Sequence, residues 1–327
     1  YFSQQPELRD YFERCAQRYG IAPRIRFRTE VESLRWDDTA AQWQVALRGP
    51  QGRREMLAAN AVISAVGQLN RPKLPEIPGR ERFAGPSFHS AEWPRELSLL
   101  GKRIAVVGTG ASAFQLVPEI AKSAAQVSVF QRSAAWMTPN PRYHSAVPDG
   151  MKWLLKHLPY YGRWYRFLIF WPGSDGLMPS LEIDPSWPHP ERSVNALNEE
   201  TRIAFTAYMQ SQVGDDPELL RKVVPTYPPF GKRMLQDNGS WLATLKRPNV
   251  ELVTDGIDQI ETDAILDCSG RRHTVDAIVF ATGFHVDKFL WPMRVFGRGG
   301  AELAELWGED PKAYLGITVP RFPNLFC

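Results

Sequence analysis

The chain has 327 residues, 43% hydrophobic and 23% charged, with a net charge of +3. That length suffices for two domains with buried cores, and the charge excess is too small for a protein that binds nucleic acid by neutralising many phosphates. Three scattered cysteines, Cys15, Cys268 and Cys327, form neither a disulfide framework nor a zinc site and point to a reducing cytoplasm.

In chain order, residues 4–20 read as a helix with Leu8, Tyr11, Phe12, Cys15 and Ala16 on one face. No basic segment with an apolar core opens the chain, so no signal peptide is expected. Strand patterns follow at 26–34, 43–47 and 56–66, a meander whose last apolar run ends at Gly67. Pro72, Pro75, Pro78 and Gly79 mark a linker. Residues 83–94 then spell FxGxxxHxxxWP, with Phe83, Gly85, His89, Trp93 and Pro94 at the fixed places. A β-α-β unit is expected at 103–133: a strand at 104–107, a helix at 111–122 and a strand at 127–131.

Residues 151–171 are the most hydrophobic stretch, but Lys152, Lys156, Arg163 and Arg166 interrupt it and Pro159 sits near its middle. A spanning helix needs about 20 mostly apolar residues, so a membrane span is not expected. A buried, aromatic-rich helical pair is the favoured reading, and an interfacial helix the alternative. Residues 140–230 as a whole read as a helical insertion, and 250–284 return to strands that end in Ala281-Thr282-Gly283. The chain does not begin with Met and closes on an apolar run, Phe322 to Cys327, so it reads as an internal piece of a longer protein.

The strand Ile104–Val107 leads into Gly108-Thr109-Gly110-Ala111-Ser112-Ala113, a GxGxxA turn opening a helix. Glycines allow the tight turn and bring backbone N–H groups up to a pyrophosphate. Ala113 is small enough for helix to pack on strand, and the helix N-terminus favours the anion. At the end of the second strand an NAD-binding fold places Asp or Glu on the ribose hydroxyls. Here stand Gln131-Arg132-Ser133. An arginine pairs with a 2′-phosphate that a carboxylate would repel, so NADPH is the expected nucleotide. The plain alternative for Arg132 is a solvated surface charge. His89 has no second His or Cys at metal spacing, and no metal is expected.

The FxGxxxHxxxWP run followed by the GxGxxA turn resembles the Baeyer–Villiger monooxygenases, and the resemblance covers nearly the whole chain. It implies an α/β flavoprotein with two dinucleotide-binding domains: a Rossmann-like NADP domain with a helical insertion, plus an incomplete FAD domain. On that pattern residues 1–82 are part of the FAD domain without its first glycine motif, 83–94 a fingerprint linker with a conformational role, 95–248 the NADP domain, and 249–327 a return to the FAD domain. The implied activity is NADPH- and FAD-dependent insertion of one oxygen of O2 beside a ketone carbonyl, through a peroxyflavin, in the full-length parent. This chain alone is expected neither to hold FAD tightly nor to turn over.

By the same resemblance Arg233 is the active-site arginine, a fixed guanidinium that stabilises the anionic adduct, and Lys232 helps hold the NADP 2′-phosphate. The plain alternative for this Lys-Arg pair is a surface charge patch. Gln115 joins the nucleotide-binding set. Asp276, Thr282 and Gly283, and earlier Gly67 and Gln68, match the places where the chain returns to the flavin domain. Pro148–Leu155 and Tyr314–Pro320 look most like the 4-hydroxyacetophenone monooxygenase branch, which suggests aryl ketones. Three other readings stay open: an N- or S-oxygenating flavin monooxygenase, a disulfide reductase, which would need a CxxC pair the chain lacks, and a non-catalytic nucleotide-binding remnant.

Overall fold

A computed structural model describes residues 2–327. Its helices are α1 (Gln5–Arg18), α2 (Ala111–Ile120), α3 (Asp149–His157), α4 (Tyr161–Phe170), α5 (Ala196–Val213), α6 (Pro217–Val223), α7 (Ser240–Leu245) and α8 (Leu303–Trp307). The first strands are β1 (Glu30–Asp37), β2 (Gln42–Arg48), β3 (Arg54–Ala59), β4 (Val62–Ile63), β5 (Ser87–His89), β6 (Arg103–Val107), β7 (Gln126–Phe130) and β8 (Met137–Pro139). After the helical segment come β9 (Leu235–Asp237), β10 (Val250–Val253), β11 (Ile257–Ile260), β12 (Ala264–Asp267), β13 (Arg272–Thr274), β14 (Ala277–Phe280), β15 (Arg294–Phe296) and β16 (Leu325–Phe326). The chain divides into two compact units. One is Leu74–Thr282 together with Phe2, and the other is Ser3–Lys73 with Gly283–Cys327.

The first unit is built on a five-stranded parallel sheet in the order β10-β7-β6-β14-β5. A parallel sheet must be covered on both faces, so its strands read as continuous apolar runs. Side chains alternate between two cores. Ile104, Val106, Val127, Val129, Ala277 and Val279 join Phe114, Val117, Trp241 and Leu242 under α2 and α7. Ala105, Val107, Phe130, Ile278 and Phe280 meet Ile260 and Ile265 of the antiparallel β11-β12-β13 meander on the other face. The helical segment is capped as its sequence dictates. The Asn195 side chain accepts from the Asn198 N–H at 2.8 Å to start α5, and Asp216 accepts from Leu219 at 2.9 Å to start α6, with Pro217 in its first turn.

Two boundaries differ from the sequence reading. Residues 83–94 are more than a linker, because Ser87–His89 form the parallel edge strand β5, registered Phe88 to Val279. The segment after 248 does not leave this unit: β10 is the edge strand opposite β5, β14 is an inner strand, and the unit runs on to Thr282.

The second unit holds the sheet β15-β1-β2-β3, with β1, β2 and β3 the predicted meander, and a parallel pair, β4 and β16. Its core gathers Leu34, Trp43, Val45, Leu47, Val295, Leu303, Phe322 and Leu325. The Trp43 indole N–H donates to the Pro323 carbonyl at 2.8 Å, so the one polar atom of a fully buried ring is satisfied. Helix α1 forms where the pattern predicts it, but none of its side chains is buried. The predicted helical pair α3–α4 also forms, and it too buries nothing. The apolar spacing reports helices correctly, but the apolar faces are uncovered.

Candidate nucleotide-binding site

The order β10-β7-β6-β14-β5 means that the chain leaves β6 toward β7 and β10, then returns to β14 on the opposite side of β6. The C-terminal ends of β6 and β14 therefore make a topological switch point, where α/β sheets bind ligands. Gly108 follows β6 there with φ +106. A Cβ at this position would lie 2.6 Å from the Ala281 carbonyl oxygen just past β14. Only glycine fits, for conformation and for space. Gly110 differs: its φ is −78, and a Cβ there would meet no protein atom within 4 Å. The space over Gly110 and the first turn of α2 is open on the ligand side. Gly110 precedes that turn without a side-chain cap, leaving N–H donors for an anion. Ala113 is fully buried, as its packing role requires. Ser112 lies in the same turn, and Gln115 is exposed one turn on with its amide on the Ala111 carbonyl at 3.2 Å.

A second cluster lies at the end of β7. Gln131 is buried and its amide donates to the Lys222 carbonyl at 2.6 Å, whereas Arg132 and Ser133 are exposed. The Thr109 hydroxyl donates to the Ser133 carbonyl at 3.2 Å, tying the glycine turn to this loop. Lys232 Nζ donates to the Ser133 hydroxyl at 3.0 Å and stands 4.6 Å from the centre of the Tyr227 ring. Tyr227 is fixed in turn. Its hydroxyl donates to the Ala134 carbonyl at 3.1 Å, and its own carbonyl accepts from the Trp136 indole at 2.9 Å. Burial pushes the Tyr227 phenol up, so it stays a neutral donor. The parallel pairing of β8 with β9 holds the two segments in register. Ser133 and Lys232, and with them Arg132 as the neighbour of Ser133, thus form one cationic corner beside the turn. Thr109 of the predicted turn supports it, as do Tyr227 and Trp136, which the spacing of the sequence did not single out. Arg233 follows Lys232 and is exposed.

Among the fingerprint residues, His89 is buried and its Nδ1 accepts from the Ala91 N–H at 3.2 Å. Phe88 and Trp93 meet edge to face at 5.1 Å, and Phe83 packs on the meander-side core. Pro94 turns the chain by accepting from Leu97 at 3.1 Å. Gly85 stands where a side chain would be blocked, without a left-handed φ. It is needed because a Cβ would lie 2.6 Å from the Asp276 carbonyl and 2.8 Å from the Phe83 ring.

Asp276 lies apart from the other residues of the predicted nucleotide set. It precedes β14, at the opposite end of that strand from Thr282 and from the switch point. Its carboxylate accepts from Arg103 N at 2.8 Å and from the Arg103 guanidinium at 2.6 Å. That arginine holds the carboxyl down at about 2. Asp276 clamps the start of β6 to the start of β14.

Gly67, Gln68 and Gly283 belong to the second unit. Gly67 has φ +72, and the Asn70 amide donates to its carbonyl at 2.7 Å; Gly283 has φ +80 and its carbonyl accepts from Lys73 at 2.9 Å. Next to Gly67 the second unit contains a cavity of about 550 Å³ bounded by Leu34, Val62, Ser64, Asn70, Arg71 and Trp291. The Ser64 hydroxyl is buried there without a hydrogen-bond partner. The sequence showed the end of the apolar run but not this cavity, whose walls come from residues more than two hundred positions apart.

The flavin-binding monooxygenase-like family matches residues 1–151. An uncharacterised monooxygenase of Sinorhizobium fredii is 42% identical over the whole chain, which covers 49% of that protein. A Baeyer–Villiger monooxygenase of Pseudomonas aeruginosa is 35% identical over 99% of the chain and 58% of its own length. Among solved structures, OTEMO in complex with FAD and NADP superposes with a TM-score of 0.81 at 26% identity, covering 99% of this chain and 66% of that one. The chain thus spans about half to two thirds of the relatives it matches.

Proposed function

We propose that the chain is part of a class B flavin monooxygenase, the FAD- and NADPH-dependent family that includes the Baeyer–Villiger enzymes, and that the full protein oxidises a ketone to an ester with O2. The observation that carries this reading is the cationic corner made by Arg132, Ser133 and Lys232 beside an open glycine turn. NADPH fits that arrangement. Gly110 and the first N–H groups of α2 would hold its pyrophosphate, and Lys232, Arg132 and the Ser133 hydroxyl would hold its 2′-phosphate. FAD, when bound, supplies the oxygen-activating redox chemistry, and Gly67, Gln68 and the residues around the orphaned Ser64 hydroxyl are the groups of the second unit suited to hold part of it.

Arg233 is the catalytic group of the proposal. A guanidinium stays protonated at any working pH, so it stabilises negative charge developing on the substrate's carbonyl oxygen without titrating away. Lys232, seated on Ser133 and Tyr227, fixes the backbone from which Arg233 projects. The Pro148–Leu155 and Tyr314–Pro320 stretches favour an aryl ketone as substrate. The full natural chain, purified with FAD, is to be given 4-hydroxyacetophenone and cyclohexanone separately with NADPH. Formation of the acetate ester with the higher kcat/KM supports the aryl reading. Lactone formation alone moves the substrate to cyclic ketones, and neither product sinks the proposal.

A further inference from the structure

The residues from Pro228 to Gly231, just before Lys232, close a tight turn in which the Gly231 N–H donates to the Pro228 carbonyl at 3.1 Å. The third residue of that turn, Phe230, has φ +66. A turn with positive φ at this place ordinarily puts glycine there, because a Cβ crowds the backbone in the left-handed region. This chain has its glycine one position later and a phenylalanine where glycine fits best. Such a conformation persists only where the surroundings over-determine it, and residues held this way cluster at functional sites.

Helix α5 supplies two of the contacts that hold the turn. Asn198, in the first turn of α5, is fully buried. Its amide nitrogen donates to the Pro229 carbonyl at 3.2 Å and to the Ser180 carbonyl at 3.1 Å, and its side-chain oxygen accepts from the Val194 N–H at 3.3 Å. A leucine would fill the same volume with no polar group to satisfy. The amide instead fixes where the Pro229 carbonyl sits, in the middle of the turn. The Phe230 ring meets Phe205 of α5 edge to face at 6.4 Å, and Phe205 lies 6.2 Å from the Trp136 ring. Trp136 in turn donates to the Tyr227 carbonyl at 2.9 Å, on the residue that precedes the turn. The segment is thus held at Tyr227, Pro229 and Phe230 before it delivers Lys232, an exposed side chain, to the Ser133 hydroxyl.

We infer that Asn198 and Phe230 are positioning residues for recognition of a 2′-phosphate: the buried amide and the left-handed phenylalanine lock the Pro228–Gly231 turn so that Lys232 stands on Ser133, and through Lys232 they set the preference for NADPH over NADH. The inference rests on the proposed reading of Lys232 as a phosphate ligand. It gives the helical insertion a part in choosing the nucleotide, because α5 carries both Asn198 and Phe205.

The test uses the full natural chain, purified with FAD, and equilibrium titration with NADPH and with NADH. Asn198→Leu and Phe230→Gly are measured alone and each combined with Lys232→Ala. Each single variant is expected to lower NADPH affinity about five- to tenfold and to leave NADH affinity within about twofold. In the Lys232→Ala background the same substitutions are expected to change NADPH affinity by less than about twofold, since their effect runs through the lysine. Glycine adopts φ +66 freely, so Phe230→Gly decides the inference if Asn198→Leu fails to fold. Equal losses for both nucleotides, or losses that multiply with that of Lys232→Ala, overturn the inference and leave the two residues as supports of the fold alone. It is also overturned, with the reading of Lys232 intact, if Lys232→Ala weakens NADPH binding and neither single variant does. If Lys232→Ala leaves NADPH binding unchanged, the reading of the corner falls and this inference falls with it.

Discussion

The Lys232 ammonium donates a 3.0 Å hydrogen bond to the Ser133 hydroxyl, a residue 99 positions earlier in the chain. One comes from the loop before β9 and the other from the loop after β7. Their meeting puts a lysine on the residue that follows Arg132 in sequence, and it gives the first prediction. Lys232→Ala and Arg132→Ala each remove one charge-assisted contact, which contributes about 1.5–3 kcal/mol. Each is expected to weaken NADPH binding by roughly ten- to a hundredfold and to leave NADH binding within about twofold. Equilibrium titration with both nucleotides checks it. Equal losses for NADH would show that the corner does not read the phosphate.

The two glycines of the turn separate folding from binding. Gly108→Ala places a methyl group 2.6 Å from the Ala281 carbonyl at φ +106, so the backbone must shift. We expect a stability loss of about 1–3 kcal/mol, read as a lower thermal midpoint. Gly110→Ala meets nothing in the protein within 4 Å. It is expected to keep its thermal midpoint and still lose NADPH affinity, because the methyl group occupies the space assigned to the pyrophosphate. Retained affinity in Gly110→Ala would place the nucleotide elsewhere.

How far the sequence reached follows from what each feature depends on. The glycine turn and its flanking strand and helix were legible because their cause is local sterics. So was Arg132, whose charge alone argues against a carboxylate reader. Lys232 and Arg233 came only through resemblance, since β8–β9 pairing brings Lys232 to Ser133 across a whole helical insertion. The edge strand β5 was hidden because three residues carry no readable period. That Asp276 and Thr282 lie at opposite ends of β14 was not legible, because nearness in sequence does not say which end of a strand a residue occupies. Residues 151–171 were misjudged for a related reason: an apolar stripe predicts a helix, while what covers it is decided by tertiary contacts.

Asp276 provides a pH prediction. Its carboxyl is held at about 2 in the folded protein by Arg103, against about 3.9 in an unfolded chain. The folded value is the lower one, so the unfolded state takes up protons first as pH falls. The contribution is fully present above about pH 4 and is lost progressively toward about pH 2. Chemical denaturation at a series of pH values is expected to show a steeper acid loss for the parent than for Asp276→Asn. Parallel curves would remove the clamp from the account.

The meander on the far face of the sheet has its own buried pin. His273 Nε2 lies 2.8 Å from an Asp267 carboxylate oxygen, with both side chains nearly inaccessible. Asp267 also accepts from Ser269 N–H at 3.0 Å and Arg271 N–H at 2.9 Å. The Ser269 hydroxyl bond, with His273 and the backbone donors, holds its carboxyl well below the usual range. Asp267→Ala orphans several donors at once and is expected to cost about 3–5 kcal/mol. The double variant with His273→Leu is expected to recover part of that. Additive losses would mean that the two residues do not act as a pair.

The proposed reaction is oxygen insertion beside a carbonyl, with Arg233 as its proposed catalytic group. The most direct measurement gives the full natural chain, loaded with FAD, NADPH, 18O2 and 4-hydroxyacetophenone, and reads the product by mass spectrometry beside the Arg233→Ala variant. An acetate ester carrying one labelled oxygen is expected from the parent, and from the variant NADPH oxidation with hydrogen peroxide and no ester. Unlabelled ester, or labelled ester formed equally well without Arg233, would contradict it.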